Sequence, residues 1–504
     1  MELSNVDASR ILFGSTAAYH FLFVPVTIGL MALMALLEGC SLATRRPAFR
    51  QLARFLSWPF LINFVCGVAT GYPLRFQIES HWAGYAKVVH DVVGTVFAFE
   101  ARLAPWMFFL VVLFAFGWRL KPVWHWLVST ALALVLIVQS SAILMINAWM
   151  QRPVGASFDG QEAHIDSLFD LMDNPLWMPK LVHTIGGAWV LGGVIAMSAC
   201  AWFLLRQREV HIARPGLMVS SGFTLFALLV TGSAGHWSGE RLVQHQPMKF
   251  AAIEALWDSD GHDADLLLFA WPDKALQANR WELGIPGALG WIAGSEGHPL
   301  RGIRQLAAQN AASMRFELEE SPSAGPRRLG YASLLGPDCC ATRPTQAEIV
   351  DVANQAVPNV ATVFWSFRVM LFAWVLMLAV VVLVLWRRPD VTRRGDHLLL
   401  SACVWALPLP WIAIEAGWMV CEAGRQPWTV TGLLATRASV GAVPAAHALE
   451  HLLLAGSLGA VLLLTYIKLH TAHMRRGLAP RVALGATRRR PAIHRPVARP
   501  SPWP

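Results

Sequence analysis

Two histidines, a methionine and a glutamate inside apolar stretches are the residues whose chemistry most needs explaining. His20 lies in RILFGSTAAYHFLFVPVTIGL, His183 in NPLWMPKLVHTIGGAW, Met370 in FWSFRVMLF and Glu422 in WIAIEAGWMVCEAGRQPW. Ionisable groups are costly in hydrocarbon, so each is a functional candidate by default. Imidazole nitrogen, thioether sulfur and carboxylate oxygen can each take an axial position on iron. Four such groups at similar depth on different helices are what a haem held between packed helices needs. Each also has a plainer reading. A lone histidine as readily hydrogen-bonds a neighbour, a methionine usually fills space, and Glu422 beside Arg425 suits an interfacial ion pair.

The neighbourhoods shift that balance. Arg368 stands two residues before Met370, and Arg425 three after Glu422. Cations at a membrane edge need anionic partners, and haem propionates are such partners. Glu100, with Asp91 upstream, adds a carboxyl in another apolar stretch. A carboxyl that stays protonated there is a natural proton donor to reduced oxygen; its plainer role is a helix-to-helix hydrogen bond. In QHQPMKFAAIEALW, Lys249 and Glu254 stand five residues apart. Such a pair can hydrogen-bond the two oxygens of a quinol, the carboxylate taking a proton as electrons leave. Without context a Lys and a Glu near a helix end are usually solvated surface.

The elements that must position these groups are membrane helices. The 504 residues are 55% hydrophobic and 14% charged, with mean hydropathy +0.46, too apolar for an ordinary soluble protein. Apolar runs near 11–38, 52–72, 92–118, 124–149, 181–205, 215–236, 362–386, 397–420 and 447–470 are each about long enough to cross a bilayer. The expected fold is an all-α integral membrane protein of about nine transmembrane helices with a large outer-side loop lobe. The expected divisions are helices one to six in 1–236, an outer loop in 237–361, helices seven to nine in 362–470, and a basic tail in 471–504 that reads as disordered. Connections after odd-numbered spans carry Arg45, Arg46, Arg50 and Arg54, then Arg119 and Lys121, then Arg206, Arg208 and Arg214, then Arg387, Arg388, Arg393 and Arg394. The positive-inside rule makes these cytoplasmic, which puts the N-terminus outside, the C-terminus inside and the four candidate ligands toward the outer face.

Other functions are excluded on the same grounds. The net charge of +9 resides almost wholly in the tail, with eight Arg and no acid, so it reads as a lipid-facing extension and no nucleic-acid partner is expected. Many of the 23 Trp fall at span ends, as headgroup-level anchors do. The seven Cys show no C-x-x-C spacing, and the adjacent Cys339 and Cys340 would close only a strained ring. The first apolar run is too long for a cleavable signal peptide and lacks a basic leader. A transporter would cluster its polar groups at the midplane, and intramembrane histidines are too few for copper plus two haems.

The stretches SRILFGSTAAYHFLFVPVTIGL, INFVCGVATG, NAWMQRPV, KLVHT, QPMKFAAIE, FRVM and PLPWIAIEAGWMVCEAGRQPW follow one another from residue 9 to about 430. In that order they resemble the signature blocks of the large subunit of cytochrome bd-type quinol oxidases. The resemblance implies a quinol:oxygen oxidoreductase of the bacterial cytoplasmic membrane, fed by ubiquinol or menaquinol, that builds a proton motive force without pumping. It implies that His183 and Met370 bind a low-spin b haem, the first acceptor from quinol. His20 and Glu422 would hold a high-spin b haem and a d-type haem, or a b-type in its place, where dioxygen becomes water; which holds which stays open. Arg10, Arg368, Trp418 and Arg425 match positions near the haems, and Glu100 the carboxylate beside the oxygen-reducing pair. Lys249 and Glu254 match the quinol-oxidising part of the outer loop. A second membrane subunit and a small accessory subunit are implied as partners.

Two positions depart from the family pattern. Phe108 stands where a second carboxylate is usual two helical turns beyond Glu100, and Arg75 where an acid is favoured. Both bear on the proton route and neither on the ligands. Phe108 also keeps open a second reading, a haem-containing membrane sensor with little turnover.

Overall fold

The computed structural model describes residues 4–159, 161–258, 264–293, 299–320, 329–335, 344–390, 393 and 395–478. Cys339, Cys340 and most of the basic tail lie outside the described residues.

Among the described residues nine helical segments are long and apolar enough to cross a membrane, in the places the hydropathy pattern predicts. The first is built from α1 (Asn5–Phe21) and α2 (Val24–Thr44). The chain breaks between them because Pro25, in the first turn of α2, has no N–H to continue the ladder. Within the break the Leu22 carbonyl accepts from Trp411 Nε1 at 3.0 Å. The next spans are α3 (Pro47–Ser80), then, after the short α4 (Ala83–Val88), α5 (His90–Phe116), α6 (Pro122–Gln151), α7 (Trp177–Leu205) and α8 (Val210–His245). A two-residue ladder, β1 (Ser157–Phe158) with β2 (Ala163–His164), lies between α6 and α7.

The large connection begins with α9 (Pro247–Glu254). It continues through an antiparallel hairpin, β3 (Leu266–Asp273) with β4 (Ala278–Ile285), that hydropathy alone does not reveal. Its turn is closed by Asp273, whose Oδ1 accepts from Ala275 N at 2.9 Å and Leu276 N at 3.1 Å. The short α10 (Ala288–Ile292) is followed by α11 (Ile303–Glu320). Then α12 (Gln346–Gln355), capped by Thr345 and Glu348 acting reciprocally, leads into α13 (Val360–Arg387). The eighth span comprises α14 (Asp396–Trp405) and α15 (Leu409–Ala423). A small hairpin, β5 (Trp428–Val430) with β6 (Leu434–Ala435), and the single turn α16 (Thr436–Ser439) precede α17 (Ala445–Arg476).

α17 runs on to Arg476, past residue 471 where the tail was expected to begin. His473 accounts for the extension: its ring stacks on Phe55 at 4.3 Å and its Nε2 donates to the Phe55 carbonyl at 2.9 Å.

The main core lies where α2, α3, α7 and α8 meet, around Leu30, Met34, Leu56, Leu191, Val194 and Phe203. α2 and α7 approach so closely that a Cβ on Gly29 would strike the Ala188 carbonyl, and one on Gly192 the backbone of Gly29. Small residues give membrane helices this backbone-to-backbone contact. A second core, with Phe250, Ile253, Leu256, Leu267, Leu306 and Phe364, welds the connecting lobe to the start of α13. α17 stands apart, with Leu453, Leu458, Val461 and Leu464 all exposed, as a helix surrounded by lipid or a neighbouring subunit requires.

Candidate functional site

His183 sits near the start of α7, with its ring against Gly235 of α8, where a Cβ would come within 3.3 Å of Cε1. Its Nδ1 donates to the Thr231 carbonyl at 3.0 Å. That bond fixes the tautomer and leaves the Nε2 lone pair for a ligand. Met370 lies near the start of α13, and its Sδ is 3.1 Å from where a Cβ on Gly417 of α15 would stand. One turn on, Trp374 Nε1 donates to the Leu228 carbonyl of α8 at 3.0 Å, holding α13 against the helix that orients His183.

His20, at the end of α1, follows the same pattern. Its Nδ1 donates at 2.8 Å to Thr70 Oγ1, whose own proton goes to the Cys66 carbonyl at 2.8 Å. Its Nε2 again has no hydrogen-bond partner among the described residues, and Gly71 leaves room beside the ring. Phe21, the next residue, stacks on Trp418 of α15 at 4.5 Å and 19°.

Glu422 ends α15. Its Oε1 accepts from Asn147 Nδ2 at 2.9 Å and its Oε2 from Arg425. Asn147 in turn accepts from Lys180, one turn before His183 on α7. Gln151, one turn beyond Asn147 on α6, donates to the Cys421 carbonyl at 3.3 Å and accepts from Lys249. A buried polar network therefore joins the Glu422 end of α15 to the start of α7 and to α9. Arg425 is 8% exposed, yet its Nε and Nη1 have no hydrogen-bond partner among the described residues. A buried guanidinium with unused donors is poised for an anion beyond those the described residues supply.

Lys249 and Glu254 are both buried on α9 but do not pair with each other. Glu254 is taken by Arg368 at 2.7 Å. The rest of the Arg368 guanidinium donates to the carbonyls of Ile253 at 2.6 Å and Leu267 at 2.6 Å and 3.1 Å. Of the two arginines next to Met370 and Glu422 in sequence, Arg368 is thus satisfied by the lobe, while Arg425 keeps donors that the described residues leave unused. Burial pushes the Lys249 ammonium down to about 7.

The remaining expected residues lie further out. Arg10 is half-exposed and pairs with Asp7 at 3.5 Å. Glu100 is half-buried on α5, and the charge acting on it is that of Arg75, which packs over Phe97 at 5.0 Å and pairs with Glu79 at 3.7 Å. Phe108 is 44% exposed and makes an edge contact with Phe64.

The geometry fits haem: two imidazoles that pack against glycines and whose Nε2 atoms have no hydrogen-bond partner among the described residues, a thioether, a carboxylate at a helix end and a cation with donors that those residues leave unused. A family model described as cytochrome bd terminal oxidase subunit I matches residues 8–478. The chain belongs to that family. It is 37% identical over 464 residues to the cytochrome bd-II ubiquinol oxidase subunit 1 of Escherichia coli (strain K12), covering 86% of this chain and 88% of that one. It is 32% identical over 441 residues to the cytochrome bd ubiquinol oxidase subunit 1 of Bacillus subtilis (strain 168), covering 87% and 86%. The structure of bd oxidase from Geobacillus thermodenitrificans shares its fold, with a TM-score of 0.78 at 22% identity over 94% of this chain and 99% of that one. This bd-family chain is a multi-pass membrane protein and a quinol oxidase subunit, a terminal-oxidase component of electron transport.

Sequence reading missed the residues that bond the candidate ligands of this bd-family chain, Thr70, Thr231 and Asn147, and those that extend the Glu422 network, Lys180 and Gln151. The i, i+4 spacing of Asn147 and Gln151 at the end of an apolar run marks one polar helix face and is the signal that finds them. It also missed Glu38, His125 and Ser129, a buried cluster in which Glu38 bonds His125 Nδ1 at 2.6 Å and Ser129 Oγ at 2.8 Å, tying α2 to α6. Those three residues lie apart from the haem-ligand candidates.

Proposed function

We propose that this chain is the haem-bearing subunit of a bd-type oxidase that oxidises quinol on the outer side and reduces dioxygen to water. The observation that carries the reading is the matched state of His20 and His183: in each the Nδ1 is engaged, the Nε2 has no hydrogen-bond partner among the described residues, and a glycine lies against the ring. His183 and Met370 would hold a low-spin b haem; His20 and Glu422 would hold the high-spin b haem and a d-type haem or a b-type in its place. Bound haem iron supplies one-electron chemistry between quinol and dioxygen. Arg425, with Trp418 and Arg10 nearer α1, would neutralise or wall the cofactors, and Glu100 would serve as a proton-holding carboxyl.

In the segment 237–361, proposed as the outer quinol-oxidising lobe, Lys249 would donate to one quinol oxygen. Glu254 would accept a proton from the other as electrons leave, with Arg368 holding it in place. Arg and Lys at the connections after odd-numbered spans support an outer N-terminus and an inner C-terminus. Quinol protons released outside and protons consumed from inside would separate charge without pumping. A second membrane subunit completes the assembly in this reading, along the apolar surfaces left on α5 and α17, and a small accessory subunit is compatible with it.

The deciding experiment is the reduced absorption spectrum of the purified complex together with oxygen uptake on reduced quinol. His183→Ala should abolish the low-spin b signal and the oxidase activity while the chain still inserts. Persistence of that signal contradicts the assignment. Haem signals without oxygen uptake would favour the sensor reading.

A further inference from the structure

Glu415 lies inside the eighth span, within α15, and belongs to none of the networks described above. Its Oε1 is buried and has no hydrogen-bond partner among the described residues. A carboxyl kept in a membrane helix for packing alone would be bonded to a neighbour, since an unsatisfied polar atom there is costly.

Its surroundings say which way it faces. Trp411 and Trp418 stand four residues before and three after it, positions that share one helix face. Trp411 Nε1 donates to the Leu22 carbonyl at 3.0 Å, and the Trp418 ring stacks on Phe21 at 4.5 Å. The two tryptophans bracket Glu415 against the break between α1 and α2, directly after His20. Glu422, seven residues on, continues the same stripe.

The titratable groups on the elements packed against α15 are otherwise engaged. Arg368 of α13 is held by Glu254, Lys180 of α7 by Asn147, and His183 of α7 by Thr231. On α1, His20 donates to Thr70, Tyr19 to the Gly459 carbonyl at 2.6 Å, and Arg10 pairs with Asp7.

We propose that Glu415 is a proton-transfer carboxyl of the oxygen-reducing pocket beside His20. The acid O–H bond breaks, the proton joins an oxygen atom that has received electrons originating in quinol, and the carboxylate is reprotonated before the next transfer. Over a full cycle two quinols supply four electrons, and four protons with one dioxygen give two waters. With Phe108 in place of a second acid on α5, a carboxyl on α15 supplies protons from a different helix. The proposal rests on the reading of His20 as a haem ligand.

The test uses the complete, haem-loaded complex carrying Glu415→Gln or Glu415→Asp. Glu415→Gln should keep the wild-type haem spectra, lower quinol-driven oxygen uptake about 100-fold, and remove a protonated-carboxyl band from the reduced-minus-oxidised infrared difference spectrum. Glu415→Asp should recover part of the rate. An unchanged rate, a lower rate with the infrared band intact, or loss of haem signals in Glu415→Gln each overturns the proposal, the last by making Glu415 a haem-holding group. A wild-type complex without haem or without quinol-driven oxygen uptake overturns the underlying functional reading, and this proposal with it.

Discussion

The carboxylate of Glu254 lies 2.7 Å from the guanidinium of Arg368, with both side chains almost withdrawn from solvent. The pair bolts α9 to α13, and the other Arg368 donors hold β3 through the Leu267 carbonyl. Arg368→Ala strands a buried carboxylate and should destabilise the complex by about 3–5 kcal/mol. Arg368→Lys, without the planar fork, should fall between that variant and wild type. Thermal unfolding of the detergent-solubilised complex measures both. Arg368→Leu combined with Glu254→Gln should regain much of the loss, since no charge is then left unpaired.

Lys249 sets a pH dependence on the quinol side. Burial holds its ammonium down to about 7, the neighbouring cations Lys180 and Arg425 adding to the shift and Glu422 opposing it. The charged donor is therefore present below about 7 and lost above it. KM for quinol should rise as pH passes that point, with kcat less affected. Lys249→Met should show a higher KM that no longer varies over this range. A wild-type KM that stays flat across it would count against the role.

Arg425 should matter for cofactor retention more than for folding. Its free Nε and Nη1 and its bond to Glu422 place it where an anionic group would be held. Arg425→Leu should weaken haem retention about 10–100-fold, by analogy with the loss of outer partners at metal sites. The haem-to-protein ratio after extended dilution and washing reads this directly. Arg425→Lys should retain part of the affinity through its charge.

Gly417 is predicted to be intolerant of a side chain. A Cβ there stands 3.1 Å from Met370 Sδ, so Gly417→Val must displace the thioether at a cost of about 1–3 kcal/mol. The low-spin haem band should shift or weaken. Gly222→Ala, on an exposed face of α8 with nothing within 4 Å of the new methyl group, should leave the spectrum unchanged.

The spans were legible because twenty apolar residues in a row have one cheap solution in lipid, a helix across it. The candidate ligands were legible because a polar group there is so costly that it stands out. What hydropathy does not encode is who satisfies whom. Arg368 reads as a partner for an anionic cofactor until α9 folds back and offers Glu254. Nothing local to FRVM carries that information. The β3–β4 hairpin was hidden for a related reason: LLLFAWPD and ANRWELGI pair through their backbones, and their side chains show only part of the alternation that marks a strand. The break after Phe21 was locally signalled by Pro25, but its purpose, a carbonyl offered to Trp411, depends on a helix almost four hundred positions away.

One helix, α15, meets three parts of the proposed redox centre: Gly417 faces Met370, Trp418 lies on Phe21 beside His20, and Glu422 closes the series. Gly417 and Glu422 are five residues apart, about 7.5 Å along the helix axis. Such a rod works as a ruler. If it tilts or slides as the membrane thins or the lobe shifts, all three reference points move together and their spacing is unchanged. Electron tunnelling falls off steeply with distance, so in the proposed reading haems packed against this one rigid element would keep their spacing as the rest of the protein moves.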